Sequence, residues 1–170
     1  MPQKDKVYIG LDIGKTKRAA GVVREGKVLE KKTEKTHYKE GFDAVFKQAV
    51  ELIEDVSKGH QQNLEGAGIG IFGIVDQEKG LLIASSASGG RRNIPIMKDF
   101  QRRFGFRVNV CNDVAAAALG EHIYGAGKGA RSSATIMIGT GIGVGIVLDN
   151  KLWEGAHFLA GQSGWGGILG

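Results

Sequence analysis

Val7-Tyr8-Ile9-Gly10-Leu11-Asp12-Ile13-Gly14-Lys15-Thr16-Lys17-Arg18-Ala19-Ala20-Gly21-Val22-Val23 is the stretch that decides how the rest of the chain is read. Two apolar runs rich in β-formers flank a short polar turn, the pattern of a β-hairpin. The turn combines a carboxylate, a glycine, a hydroxyl and two lysines: Asp12, Gly14, Lys15, Thr16 and Lys17. Gly14 lets the backbone bend and approach a ligand, and successive N–H groups in such a turn form a concavity for anions. Asp12 could hold a hydrated Mg²⁺, an ion usually bound through one or two carboxylates plus substrate phosphates. Taken alone, the segment reads equally as a phosphate cradle or as a plain hairpin whose glycines only make the turn.

Outward from the hairpin, Arg24-Glu25-Gly26-Lys27 turns the chain into a third strand, about Val28 to Thr36. Phe42 to Ser57 has the apolar spacing of an amphipathic helix, with Phe42, Val45, Phe46, Ala49, Val50, Leu52 and Ile53 on one face. Ala67 to Val75 reads as a buried strand entering a glycine-punctuated loop, and Gly80 to Ala84 as a short extended piece. Ser85 to Asn93 is polar loop, and Pro95 suits the first turn of a helix running to about Phe104. A strand over Arg107 to Cys111 and an alanine-rich helix over Val114 to Tyr124 follow. Gly125 to Arg131 links this half to the next. Strands and helices in this alternation predict an α/β layer architecture.

The second half echoes the first. Ala134 to Ile138 is an apolar strand, Gly139-Thr140-Gly141-Ile142-Gly143 a glycine turn, and Val144 to Leu148 another strand. Asp149-Asn150-Lys151-Leu152-Trp153-Glu154 then matches Arg24 to Glu30 in character. Two turns of one kind could grip a phosphate chain from both sides. No helix equivalent to Phe42–Ser57 follows Trp153, so the echo stops short.

Asn112-Asp113 ends a strand and starts a helix. Either residue could be a helix cap. The carboxyl end of a strand is also where open α/β sheets bind ligands, and a carboxylate there could take the proton from an attacking hydroxyl.

Composition narrows the classes. Lysine and arginine number 23 against 18 acidic residues, a net +5 spread without a basic tract, so the pattern is not that of a nucleic-acid binder. One cysteine, Cys111, excludes an internal disulfide and points to a reducing cytosol. Met1 to Lys6 is polar and no apolar run is long enough for a bilayer, so the expected location is cytoplasmic, with no membrane partner. The 28 glycines against two prolines imply many tight turns or close backbone–ligand approaches. His37, His60 and His122 read as isolated surface residues, Arg91 and Arg92 as a solvated loop, and Trp153 and Phe158 as packing.

Asp12-Ile13-Gly14-Lys15-Thr16-Lys17, then Asn112-Asp113 with Ala116-Ala117-Ala118-Leu119-Gly120-Glu121, then Gly139-Thr140-Gly141-Ile142-Gly143, together resemble the ROK family of sugar kinases and sugar-responsive repressors. The resemblance implies a ribonuclease H-like, actin-like ATPase lobe (a mixed sheet flanked by helices) plus the first strands of a second, similar lobe. The lobes would be residues 1–125, bearing the sugar site, and 126–170, an incomplete nucleotide lobe. It implies ATP and Mg²⁺ as cofactors, a sugar as substrate, and a homodimer in the full-length form. Asp113 would be the catalytic base and Asn112 a sugar contact, with Gly89, Gly90, Asn93, Gln162 and Trp165 also on the substrate. Asp12, through water, would serve Mg²⁺. Gly14, Lys15, Thr16, Lys17, Gly139, Thr140, Gly141 and Gly143 would face the nucleotide.

Departures from the family pattern are specific. Lys15 stands where glycine is usual, Arg91 where an aromatic is common, and Ala115 where asparagine is frequent. Ala160-Gly161-Gln162-Ser163-Gly164-Trp165 replaces Ala-Gly-Glu-Ile-Gly-His, whose Glu and His bind sugar hydroxyls. Such swaps change substrate choice, because a site built to pair hydroxyls discriminates through unpaired polar groups. No zinc-binding cysteine cluster is present. Three functions follow: a sugar kinase, whose chain here would be weak or inactive alone; a non-catalytic sugar-sensing module of a ROK-type regulator; and a sugar-independent actin-like ATPase module.

Overall fold

The computed structural model describes residues 6–139 and 141–162. The chain divides into two compact units, Met1–Cys111 and Asn112–Gly170. The division falls ahead of the helix after Asn112 instead of at 125/126, because that helix packs on the strands that follow it.

In the first unit, β1 (Val7–Ile13), β2 (Lys17–Arg24), β3 (Lys27–Lys35), β4 (Leu64–Ile71) and β7 (Arg107–Asn112) form a mixed sheet in the order β3-β2-β1-β4-β7. β1 runs antiparallel to β2 and parallel to β4. Alternate residues of β1 are buried, as a period of two requires when one face meets a core. That face carries Val7, Ile9, Leu11 and Ile13, with Ala20 and Val22 of β2 and Ala67, Ile69 and Ile71 of β4. Helix α1 (Phe42–Val56) lies over it, burying Phe42, Val45, Ala49, Val50, Leu52, Ile53 and Val56. Helix α2 (Ile96–Phe104) adds Ile96 and Phe100, and Phe100 meets the Phe46 ring at 4.6 Å between centroids. Gly105 at φ 75° ends α2 in the left-handed conformation.

The opposite face of the same sheet is paved with glycine. Gly10 pairs with Gly21 and Gly68, Tyr8 with Gly66, and Asp12 with Gly70. Beyond β4, the expected run from Ala67 to Val75 breaks at Phe72-Gly73, where Gly73 takes φ 129°. Ile74–Asp76 (β5) instead forms a hairpin with Leu81–Ala84 (β6).

In the second unit, α3 (Asp113–Tyr124) precedes an antiparallel sheet in the order β10-β9-β8, from Ser133–Ile138 (β8), Ile142–Leu148 (β9) and Lys151–Leu152 (β10). The expected echo is borne out in its turns. Glu25-Gly26 joins β2 to β3 and Asp149-Asn150 joins β9 to β10, and all four residues have positive φ. Helix α3 docks on the face that carries Gly143 and Gly145. A Cβ on Gly143 would stand 2.9 Å from Val114 Cγ2, and one on Gly145 would clash with Ala118. His122 is not a surface residue: it is buried, with Nδ1 2.9 Å from Ser133 Oγ and Nε2 3.1 Å from Asn150 Oδ1. No helix among the described residues is long and apolar enough to cross a membrane.

Candidate functional site

The Asp12–Lys17 turn sits at the carboxyl end of β1. Gly14 N–H donates to the Lys17 carbonyl at 2.9 Å, and the Thr16 carbonyl accepts from Thr36 N–H at 3.0 Å. A Cβ at residue 14 would approach the Lys17 carbonyl oxygen to 3.0 Å, so the tightness of the turn favours glycine. Lys15, Thr16 and Lys17 are exposed. Asp12 is exposed as well, yet the strands around its carboxyl desolvate it and raise its pKa above the ordinary 3.8, against the pull of the Lys31 charge.

Arg18, which the sequence reading passed over, anchors this turn from behind. It is buried, and its guanidinium donates to Gln48 Oε1 at 2.8 Å, to Glu34 Oε2 at 2.5 Å and to the Lys35 carbonyl. A cation inside an otherwise aliphatic alternation was the available signal. The clamp fixes the end of β3, and Thr36 just beyond holds Thr16.

The polar loop after β6 is built from serines. Ser88 Oγ donates to the Ser85 carbonyl at 2.8 Å, and Ser85 Oγ accepts from Ala87 N–H at 3.3 Å. Gly89, Gly90 and Asn93 then take φ of 59°, 83° and 54°. Phe72 N–H donates to the Ile13 carbonyl at 3.0 Å, and a Cβ on Gly73 would stand 3.1 Å from Ser85. This loop therefore starts close to the end of β1 that carries the Asp12 turn. Arg91 is not simply solvated. It pairs with Asp43 at 2.7 Å and lies over the Phe42 ring.

In the second unit, Asn112 caps α3: its Oδ1 accepts from Val114 N–H at 2.9 Å and Ala115 N–H at 3.1 Å. Capping therefore falls to Asn112. Asp113, the first helical residue, is half-buried, and its Oδ1 accepts from Asn112 Nδ2 at 2.9 Å and from Val114 N–H at 3.0 Å. Gly139 N–H donates to the Gly141 carbonyl at 2.9 Å across the β8–β9 turn. Val144 N–H donates to the Gly161 carbonyl at 2.8 Å, filling the β9 edge beyond the short β10 and setting Gln162 beside β9. Val114, next to Asp113, lies against Gly143, and Gly161, next to Gln162, pairs with Val144. Thr140 and Trp165 lie outside the described residues.

A cavity of about 390 Å³ in the second unit is lined by His122, Ile123, Gly129, Ala130, Arg131 and Asn150, none of them a candidate residue. Among the described residues no group of three His, Cys, Asp or Glu is arranged to hold a metal ion.

A family model described as the ROK family matches residues 8–168. The glucokinase of Thermotoga maritima is 36% identical over 163 residues, which cover 95% of this chain and 49% of that protein. The glucokinase of Streptomyces coelicolor is 36% identical over 157 residues, 92% of this chain and 48% of that one. Among solved structures, a ROK family glucokinase from Streptomyces griseus in complex with glucose and AMPPNP superposes with a TM-score of 0.82 at 35% identity. That match covers 91% of this chain and 48% of that one. The chain spans about half the length of the curated relatives it matches.

Proposed function

The chain belongs to the ROK family, and from that premise we propose that it supplies the sugar-binding residues, the general base and two phosphate-facing turns of an ATP-dependent sugar kinase. The observation that supports this reading is Asp113, held by Asn112 and Val114 at the start of a helix whose Val114 packs against Gly143 at the end of the β8–β9 turn. A base, a glycine turn and a hydroxyl-binding amide are parts that phosphoryl transfer to an alcohol uses.

In this reading a sugar hydroxyl oxygen attacks the terminal phosphorus of ATP and its proton passes to the Asp113 carboxylate. The bond from that phosphorus to the bridging oxygen breaks, and ADP leaves. The Asn112 amide and the Val114 N–H fix Oδ1 of Asp113, so the carboxylate meets the substrate in one orientation and little entropy is lost on alignment. Gln162 of the second unit pairs a sugar hydroxyl without charge. In the first unit, the exposed Lys15, Thr16 and Lys17 of the Gly14 turn are assigned to phosphate.

The residues fit Mg²⁺ carried on the nucleotide. Asp12 offers one carboxylate in the same segment as the Thr16 hydroxyl, with no group of three His, Cys, Asp or Glu arranged as a cage among the described residues, which is the donor set of an ion held largely by phosphates and water. When bound, the ion neutralises phosphate charge; a cation near Asp12 also offsets the desolvation that raises its pKa.

The test is a coupled ADP-release assay on the polypeptide as its gene encodes it, offered glucose, other hexoses and N-acetylhexosamines. The expected result is ADP release that depends on one of these sugars. Sugar binding without ADP release would make the protein a sensor, and release that ignores sugar would make it a plain ATPase; either result overturns the proposal.

A further inference from the structure

Residue 18 interrupts an aliphatic row. Arg18, Ala20 and Val22 alternate on the face of β2 that meets the core, and Arg18 is 6% exposed. A charge in a core costs free energy unless it is paired, and apolar replacements of buried ion pairs are often as stable or more so. Core packing alone would therefore place an aliphatic residue at 18, as it does at 20 and 22.

What the guanidinium holds is the segment Glu34–His37. It donates to Glu34 Oε2 at 2.5 Å, to the Lys35 carbonyl, and to Gln48 Oε1 at 2.8 Å. The same Gln48 oxygen accepts from His37 N–H at 3.2 Å. Residues 34, 35 and 37 are thus each tied to one bracket, made of Arg18 and Gln48 of α1. Thr36, between them, is buried, and its N–H meets the Thr16 carbonyl at 3.0 Å. Gly14 N–H takes the Lys17 carbonyl, so the bracket reaches a turn that is already closed on itself.

Among the described residues, the buried side-chain polar atoms left without a hydrogen bond are Arg18 Nε and Thr36 Oγ1. An unpaired buried polar atom is unfavourable, and both lie in residues of this one contact chain. Stability gives no reason to keep them there. Geometry does.

We propose that Arg18 is a positioning residue: through Lys35, Thr36 and Thr16 it sets the conformation in which the Gly14–Lys17 turn binds the phosphate chain of a nucleoside triphosphate. The inference rests on the assignment of that turn to phosphate made above. Arg18 acts without touching a ligand. Without its fork the residues of the turn remain, but the ordering they had before binding is lost and has to be supplied on binding. Removing Arg18 strands no buried charge, because Glu34 is a third exposed and keeps Lys32 Nζ at 3.1 Å.

The test compares Arg18→Met, Arg18→Lys and Gln48→Met with the parent, in the polypeptide as its gene encodes it. Titration calorimetry with ATP and Mg²⁺ reads affinity, NMR amide exchange reads Thr36, and urea unfolding reads stability. For Arg18→Met the expected results are a loss of ATP affinity of about 10- to 100-fold, faster exchange at Thr36 and an unfolding midpoint no lower than the parent's. Arg18→Lys, with a point charge in place of the planar fork, falls between the two. Gln48→Met shifts affinity in the same direction by a smaller factor. Arg103→Met, which removes an exposed pair with Glu54, leaves it unchanged. In turnover, KM for ATP rises while kcat and the KM for sugar hold. Unchanged ATP affinity in both Arg18→Met and Gln48→Met, unchanged exchange at Thr36, or an affinity loss that comes with a lower unfolding midpoint overturns the proposal. A parent that binds no ATP overturns the kinase reading instead, and exchange at Thr36 still decides whether the bracket holds the turn.

Discussion

Hairpin β1–β2 and hairpin β8–β9 share one alternation of faces, but α1 covers the aliphatic face of the first and α3 the glycine face of the second. The contiguous buried core among the described residues runs from Val7 to Val110, and of the described hydrophobic side chains in the second unit only Ala118 and Val147 reach the same burial. Buried core and proposed base are therefore divided. The first unit holds most of the buried apolar surface that drives folding, while the second holds Asp113 on a scaffold that is open on one side.

The largest test of that division sets a core residue against an exposed one. Phe100→Ala should cost about 3–5 kcal/mol in urea unfolding, whereas Ile136→Ala in the isolated chain should stay within about 0.5 kcal/mol. Equal losses would break the comparison. Next in size is Gly145→Val, which drives a branched side chain into Ala118 and the Val114 carbonyl. About 1–3 kcal/mol of overpacking is expected, read as faster amide exchange across α3; unchanged protection would show that α3 does not depend on the glycine face.

Asp12→Asn gives a smaller effect of opposite sign. The folded pKa of Asp12 is raised, so its contribution is present below the ordinary 3.8 and lost as pH rises through the folded value. At pH 7 the neutral amide should leave the urea midpoint unchanged or higher, while nucleotide-dependent activity of the full polypeptide falls. A lower midpoint would contradict the desolvation account. The smallest effect is at the surface. Lys32 and Lys58 hold the Asp55 carboxyl down from 3.8 to about 2, so its contribution is present above 3.8 and lost as pH falls through about 2. Asp55→Asn should flatten the acid limb of the stability curve between those values; an unaltered limb would assign acid unfolding to other carboxylates.

Much of this was legible in the residues. Period-two alternation in β1 and helical spacing in α1 are strong local signals, and the ends of α2 and α3 fell within a residue or two of expectation. Local signals fail where partners are distant. The break at Phe72-Gly73 depends on β6 arriving beside β5, and the burial of His122 depends on Ser133 and Asn150, which approach it only after β8 and β9 fold back. Arg18 was missed for the same reason, since its partners Glu34 and Gln48 lie 16 and 30 residues away. For the candidate site, the motifs Asp12–Lys17, Asn112-Asp113 and Gly139–Gly143 were readable as chemistry. Which of the Asn112-Asp113 pair caps the helix was not, because either side chain can reach the same N–H groups.

The central claim, that Asp113 takes the sugar proton, is tested most directly by Asp113→Asn in the full polypeptide, measuring sugar binding and kcat side by side. The amide keeps an acceptor for Asn112 Nδ2 and Val114 N–H but cannot receive a proton. The account predicts sugar affinity within about threefold and kcat lowered by about 10²–10⁴. A variant that turns over at the parent rate would contradict it.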